Sequence, residues 1–270
     1  MASSDIIILK TVQCGAIKTL FDTLKDILTD VNIVFTKEGV KIVALNEAQV
    51  ALVYVKLNNT GFDYYYCEPE EFVAGINTIA FYTVIKSIGT QDILTISLDK
   101  DNQNELFIKI ENGMKNKIDR SWYKLLDIDT IDIGEPTFEY DFIVKMPSSE
   151  FQSICKIMKD IGSEICVCSH NNQIKISCEG DFCKKEVTLI DPVTDMMDNS
   201  SITSIDSINI NADHMVRQKF ALKFLSMFAR GTSLCNEVKI MLGSSAPLVL
   251  QYTVAALGDL MFALSPKIDE

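Results

Sequence analysis

Two histidines, His170 and His214, are the only imidazole bases in this 270-residue chain, and His170 falls in a polar turn, His170-Asn-Asn172. Ser–His–Asp or Cys–His chemistry needs a base held against the nucleophile, so a histidine catalyst is not expected. No G-x-x-x-x-G-K-[ST] loop is present to cradle nucleotide phosphates. Eight cysteines raise the question of zinc, because Cys166-x-Cys168 and Cys178-x4-Cys183 lie close in sequence. Neither has the usual C-x2-C spacing, and Cys166 and Cys168 share one face of a strand-like run. Core-lining thiols are expected instead. Asp127, Asp129 and Asp132 form an acidic cluster that has the chemistry for a hard cation, but a solvated loop is the expectation. The chain is therefore read as a non-enzyme without metal or cofactor.

What remains is the placement of positive charge. The net charge is −12, which on its own argues against nucleic acid, since phosphate contacts need clustered Lys and Arg. Four amphipathic segments depart from that total. The first, 19–28, follows Lys18 and contains Lys25, a heptad away and nearly on the same face. Asp22 and Asp26 partly offset them. The second, 80–88, carries Lys86 and no acid. The third, 151–158, is flanked by Glu150, Lys159 and Asp160 and contains Lys156. The fourth, 220–229, is grouped with Arg217, Lys219, Lys223 and Arg230, without Asp or Glu. Net-basic helices in an acidic chain form a footprint for sequence-blind phosphate contact; the competing reading is the ordinary solvated face of an amphipathic helix.

Each segment precedes a pair of strand-like runs: 32–36 and 40–45, 92–98 and 105–110, 164–168 and 173–177, and 237–242 and 248–254. The chain thus reads as four helix-plus-strands units, an internal repeat. The acidic stretch 125–136, closed by Gly134-Glu-Pro136, separates the second unit from the third. An α+β fold of two similar domains follows, 1–124 and 142–270 joined by a connector at 125–141, each with antiparallel sheet on one side and two helices on the other. Strands outnumber helices, so some strands end at sheet edges where another chain can pair and close a ring.

A hydrophobic share of 47% and a charged share of 23% are those of a globular protein, and a chain this long buries about three quarters of its unfolded surface without covalent staples. The apolar runs are too short to span a membrane. The start, Met1-Ala-Ser-Ser-Asp5, has no secretory pattern. An intracellular protein with reduced thiols is expected.

The stretch 39–62, GVKIVALNEAQVALVYVKLNNTGF, resembles the signature of the eukaryotic-type DNA sliding clamp family, the proliferating cell nuclear antigen family. The segments 144–151, 246–252 and 264–270 resemble its second-domain opening, C-terminal strand and tail. The resemblance covers nearly the whole chain. It implies a DNA clamp fold in a head-to-tail homotrimer, helices inside and sheets outside, encircling double-stranded DNA as a processivity factor for a replicative DNA polymerase. By position, Lys18, Lys25, Lys86, Lys156, Lys223 and Arg230 match basic places on the family's inner helices; Lys159, Arg217 and Lys219 are added from their neighbourhood.

The resemblance also implies a clamp loader and clamp-binding peptides as partners. The peptide pocket falls on Leu45, Gln49, Val50, Leu52, Ile133, Pro136, Tyr140, Ala246, Pro247, Ala263, Ser265 and Pro266. Subunits would close through the edge around Lys117, Arg120, Trp122 and Lys124 against the edge around Cys183, Lys185, Val187 and Leu189. Departures from the family pattern are Asn46 for Asp, Gln49 for His, Glu135 for an aliphatic residue and Ala263 for a large aromatic. Thr19, Thr83 and Ser153 stand where further basic residues are common, and His170-Asn171 lacks the lysine that is often modified. Localisation is expected to be nuclear, or a cytoplasmic replication site for a viral lineage. The rival classes are a clamp-like adaptor in a heteromeric ring and a monomeric viral processivity factor with an open DNA-binding face.

Overall fold

The computed structural model describes residues 4–130, 133–134, 138–170, 173–190, 207–210 and 216–267. Their contacts divide the chain into two units. Unit 1 holds Met1–Glu47, Val53–Gly134 and Thr253–Leu260; unit 2 holds Ala48–Leu52, Glu135–Tyr252 and Met261–Glu270.

The first half runs β1 (Asp5–Thr11), α1 (Cys14–Leu24), β2 (Asp30–Thr36), β3 (Gly39–Leu45), β4 (Ala51–Asn58), β5 (Tyr64–Cys67), β6 (Glu71–Asn77), α2 (Thr78–Ile85), β7 (Ile93–Asp99), β8 (Glu105–Asn112) and β9 (Lys117–Lys124). The second half repeats that order: β10 (Phe142–Pro147), α3 (Ser148–Lys159), β11 (Glu164–His170), β12 (Gln173–Glu179), β13 (Lys184–Ile190), β14 (Ser207–Ile210), β15 (Val216–Ala221), α4 (Leu222–Phe228), β16 (Glu237–Leu242), β17 (Leu248–Val254) and β18 (Gly258–Leu264). The fold is α+β, as the repeat and period-2 patterning require.

The repeat extends to pairing. Unit 1 has the strand order β5-β1-β7-β8-β9 and, separately, β4-β3-β2-β6; the second half has β14-β10-β16-β17-β18 and β13-β12-β11-β15. Adding nine to each strand number converts one pattern into the other. The paired registers are antiparallel throughout, for example Ile33↔Ile42 in β2–β3 and Val167↔Ile176 in β11–β12.

In unit 1 one apolar space is lined from both strand runs and both helices: Leu9, Ile96 and Leu106, then Ile33, Phe35 and Leu57, with Leu20, Phe21 and Phe81 over them. Phe21 and Phe81 rings meet at 4.5 Å, and Phe81 meets Tyr123 edge-on at 5.5 Å. In unit 2 Phe228 stacks on Phe262 at 4.5 Å, and Tyr252 meets Phe262 edge-on at 6.2 Å.

Helix boundaries moved for identifiable reasons. α1 begins at Cys14, earlier than the apolar period suggested, because Gln13 turns the chain: its N–H donates to Thr11 Oγ1 at 2.9 Å and its carbonyl receives Ala16 N. α2 begins at Thr78 because the Asn77 side chain accepts from Ala80 N at 3.0 Å, satisfying one of the four orphan amides of a helix start. α4 is shorter than expected at both ends. Phe220 and Ala221 complete β15, and Ala229–Ser233 tighten into a 3₁₀ turn.

The start of the expected connector lies along unit 1. Leu126 N donates to Gly75 O at 2.8 Å, and Asn32 Nδ2 donates to Ile128 O at 3.1 Å. A Cβ at Gly75 would stand 2.2 Å from Leu126 O, so only glycine admits that approach.

At Gly231 a Cβ would meet the Tyr252 ring at 2.6 Å, and Tyr252 is 1% exposed. Overpacking of this kind costs about 1–3 kcal/mol. Gly231→Ala is expected to lower the thermal midpoint of the second half in calorimetry while the midpoint of unit 1 stays in place.

Candidate nucleic-acid interface and docking surfaces

The cationic side chains on the helices differ in how free they are. On α1, Lys18 is half-buried and donates through Nζ to Ile88 O at 2.8 Å, capping the chain that leaves α2. Lys25, at the C-terminal cap of α1, is ion-paired with Asp22 and lies 3.9 Å from the centre of the Tyr82 ring. Lys86, at the C-terminal cap of α2, is exposed. Thr19 and Thr83 turn their hydroxyls back to Gly15 O and Ile79 O, at 3.0 and 2.9 Å. Hydroxyls bonded to the preceding helical turn have their donor occupied.

On α3, Lys156 and Lys159 are exposed in the last turn and Glu150 sits in the first, the arrangement the helix dipole favours. On α4, Lys223 is exposed with its Nζ 5.8 Å from the Phe224 ring centre, and Arg230 is exposed on the 3₁₀ turn that follows.

Arg217 and Lys219 are not helical. Both lie on β15, in register with Cys168 and Cys166 of β11. The apolar pair Val216 and Phe220 fits a helix face by spacing, but both are buried from a strand bonded to β11. Hydrogen bonding to a neighbouring strand decided the segment, so these two cations stand on β15 rather than on α4.

In unit 2, Leu52, Phe138, Tyr140, Ile143 and Met261 pack on a buried cluster of Met241, Val249 and Ala263. Phe138 and Tyr140 rings meet at 6.2 Å, and burial pushes the Tyr140 phenol above its ordinary pKa. Ser265 N donates to Val50 O at 3.0 Å. Ala246 is buried and Pro247 and Pro266 half-buried. Of the expected pocket residues, Leu52, Tyr140 and Ala263 therefore meet around one apolar cluster, with Val50 and Ser265 bonded beside it. Gln49 is exposed with φ +55°, a backbone state that places it on a turn. Leu45 and Ile133 belong to unit 1, and Pro136 and Glu135 lie outside the described residues.

Six strands end sheets among the described residues, β5, β6, β9, β13, β14 and β15, and the two expected to join subunits are among them: β9 in unit 1 and β13 in unit 2. Lys117, Arg120, Trp122 and Lys124 are exposed on β9, whereas Tyr123 between them is buried and bonded to Asn77. On β13, Lys185 and Val187 are half-buried, and Cys183 just before the strand is exposed. Leu189 is 3% exposed and serves the core of unit 2 rather than the edge.

Residues 7–133 match the proliferating cell nuclear antigen N-terminal domain, and residues 134–267 match the C-terminal domain of the same protein. The chain belongs to the proliferating cell nuclear antigen family. The two matched domains meet at 133/134, one residue from the break between the units at Gly134. A curated relative, named as probable DNA polymerase sliding clamp 1 of Paramecium bursaria Chlorella virus 1, is 32% identical over 262 residues, covering 96% of this chain and 95% of its own length.

Phe138, Ile143, Met241, Val249 and Met261, which complete this apolar cluster, were not among the residues expected from the sequence. The alternation Phe138-Glu-Tyr140 was the available signal, but strand alternation alone does not say which sheet a residue joins. The expectation of core-lining thiols holds for four of the eight cysteines. Cys166 and Cys168 are half-buried on the face opposite Ile165 and Val167, and Cys183 is exposed; Cys14, Cys67, Cys155 and Cys178 are buried. No group of three or more His, Cys, Asp or Glu suited to a metal occurs among the described residues.

Burial pushes the Cys155 thiol up to about 12, so its reactive thiolate is scarce at pH 8. The Cys14 thiol is also raised by burial and donates to Asp92 O at 2.9 Å. With a chromogenic disulfide at pH 8, Cys183 is expected to react first, and Cys155 and Cys14 only on unfolding, as read by peptide mass mapping.

Proposed function

We propose that this chain is a DNA sliding clamp subunit: three copies close head to tail around duplex DNA and hold a replicative polymerase and other partners to it, with no chemistry of their own. The observation that carries this reading is the match of both halves to the two domains of one clamp family, supported by exposed lysines on helices of a chain with net charge −12.

The strand repeat supports ring closure. In unit 1, Asn58 N at the end of β4 donates to Leu257 O just before β18, at 2.8 Å. In unit 2, Ser265 N just after β18 donates to Val50 O just before β4. Under the nine-strand repeat the counterparts of β4 and β18 are β13 and β9, and both of these are sheet edges among the described residues. An edge that presents unpaired N–H and C=O groups is a template for another chain. β9 of one copy and β13 of the next would repeat the pairing that β4 and β18 make within the chain.

A ring holds DNA by topology, so the contacts need only be weak, screened and indifferent to sequence. In this reading Lys86, Lys156, Lys159, Lys223 and Arg230 are the main phosphate contacts. Lys18 and Lys25 contribute less, because Ile88 O and Asp22 already hold their ammonium groups. The acidic remainder of the surface repels DNA and favours the basic helices. The cluster around Leu52, Tyr140 and Ala263 is the part of unit 2 on which a partner peptide would seat an aliphatic or aromatic plug. Localisation follows the DNA being copied, in the nucleus or at a cytoplasmic replication site.

Light scattering at low micromolar protein and near-physiological salt should give three times the 30.2 kDa chain mass. A monomer at all concentrations would overturn the homotrimer and favour an open-faced processivity factor or a heteromeric adaptor. On circular DNA, Lys156→Ala with Lys223→Ala should weaken retention equally for all sequences and flatten its dependence on salt, each lost phosphate contact reducing the slope by about 0.9. Lys18→Ala with Lys25→Ala should change it less.

A further inference from the structure

The face of the β5-β1-β7-β8-β9 sheet that turns away from the core of unit 1 is crossed by a single row of side chains. Tyr66 stands beside Ile8, Ile8 beside Ser97, Ser97 beside Phe107, and Phe107 beside Trp122. Trp122 is the one tryptophan of the chain and is 61% exposed, its ring centre 5.4 Å from that of Phe107 at an interplanar angle of 52°. Large aromatic surface left to water in this way calls for an occupant more than scattered exposed residues do.

Ile8, Ser97, Phe107 and Trp122 of this row line a groove of about 500 Å³, within the range of sites that hold small ligands or side chains. Three carboxylates border it: Asp5, Asp99 and Glu105. Asp99 accepts from Asp101 N at 2.8 Å and Ser4 Oγ at 2.7 Å, which hold it below the ordinary carboxylate range; Glu105 accepts from Asn102 Nδ2 at 2.7 Å. These bonds fix the carboxylates at the rim and leave further lone pairs on each. The lysine among the lining residues, Lys109, is paired with Glu111 at 2.8 Å. Lys124 stands across from Glu105 on β9 but does not line the groove.

We propose that this groove docks an arginine-bearing extended segment of a partner protein, with the guanidinium against Trp122 and Phe107, its N–H groups on Glu105 and Asp99, and a neighbouring aliphatic side chain on Ile8. Charge favours a cationic occupant: three carboxylates line the groove beside one lysine that is itself ion-paired, while Arg120 and Lys10, across from Lys109 and Thr95 on the same face, are not among its lining residues. The flat aromatic floor selects among cations, because a planar, weakly hydrated guanidinium stacks on a ring while donating in its own plane, which an ammonium does not. The backbone groups of the β9 edge lie in the plane of the sheet, whereas the Trp122 side chain stands off its face. A strand paired at that edge would set side chains beside Trp122, but Ile8, Ser97 and Phe107 lie inward of it on β1, β7 and β8, and the inference does not rest on the sliding-clamp reading.

The sole tryptophan makes the test direct. The full chain is titrated with a blocked hexapeptide of alternating arginine and leucine, following tryptophan emission, with the same peptide carrying citrulline for arginine as the uncharged control. A saturable shift of emission is expected, weakened at least tenfold by citrulline. By calorimetry, Glu105→Gln and, separately, Trp122→Ala should each weaken binding about fivefold or more. Asp127→Asn with Asp129→Asn, acidic residues outside the groove, should leave it unchanged. Glu105→Gln keeps an acceptor for Asn102, so it tests charge without disturbing the turn. The proposal is overturned if the peptide gives no saturable shift up to millimolar concentration. It is equally overturned if the distant pair weakens binding as much as Glu105→Gln does, since that is general attraction to an acidic protein.

Discussion

Covering one face of each antiparallel sheet with a pair of helices is the constraint on which the rest of this protein depends. A half-apolar sheet cannot stand alone in water, and in unit 1 the closing contact is aromatic: Phe21 of α1 against Phe81 of α2, and Phe81 against Tyr123 of β9. The Tyr123 hydroxyl also bonds both backbone groups of Asn77, the residue that caps α2. One side chain thus ties the sheet edge, the helix cap and the core together. The second half solves the same problem with Phe228, Phe262 and Tyr252.

That constraint sets where charge can go. Helices that spend their apolar stripe on a sheet leave the opposite face to solvent, so Lys86, Lys156, Lys159 and Lys223 are exposed because Phe81, Ile154, Met158 and Leu225 are not. Cations that fell nearer the packed side were drawn into local bonds, Lys18 to the Ile88 carbonyl and Lys25 to Asp22 and Tyr82. A count of basic residues treats all of these alike; their surroundings do not. The same holds for the thiols, where alternation along β11 turned Cys166 and Cys168 away from the core while Cys178 on β12 turned toward it.

The duplicated topology explains why the strand edges remain. Both halves follow the same order of strands and helices, and the repeat places each strand of one half in the pairing role of its counterpart in the other. A covalent chain that makes a given strand pairing once, at β4 and β18, leaves the equivalent strands β13 and β9 as sheet edges. Lys117, Arg120 and Lys124 stand exposed along β9 beside Trp122, and Lys184 is exposed at the start of β13, so both edges carry cations.

Sequence by itself determined the α+β class, the fourfold helix-and-strands repeat, the core positions of the helices and the family, because periodicity and composition are local and survive without a partner. The runs 237–242 and 248–254 were legible to the residue, since each is bounded by turn residues and bonded to neighbours close in the chain. Only the tertiary structure decided that Arg217 and Lys219 sit on a strand, that Leu189 is core, that Phe138 and Met261 join Leu52 and Tyr140 on one cluster, and that five residues from 8 to 122 line up across a single sheet face. Each of these depends on which distant strand supplies the next hydrogen bond, and the register of a long-range pairing is a property of the folded sheet rather than of any one segment.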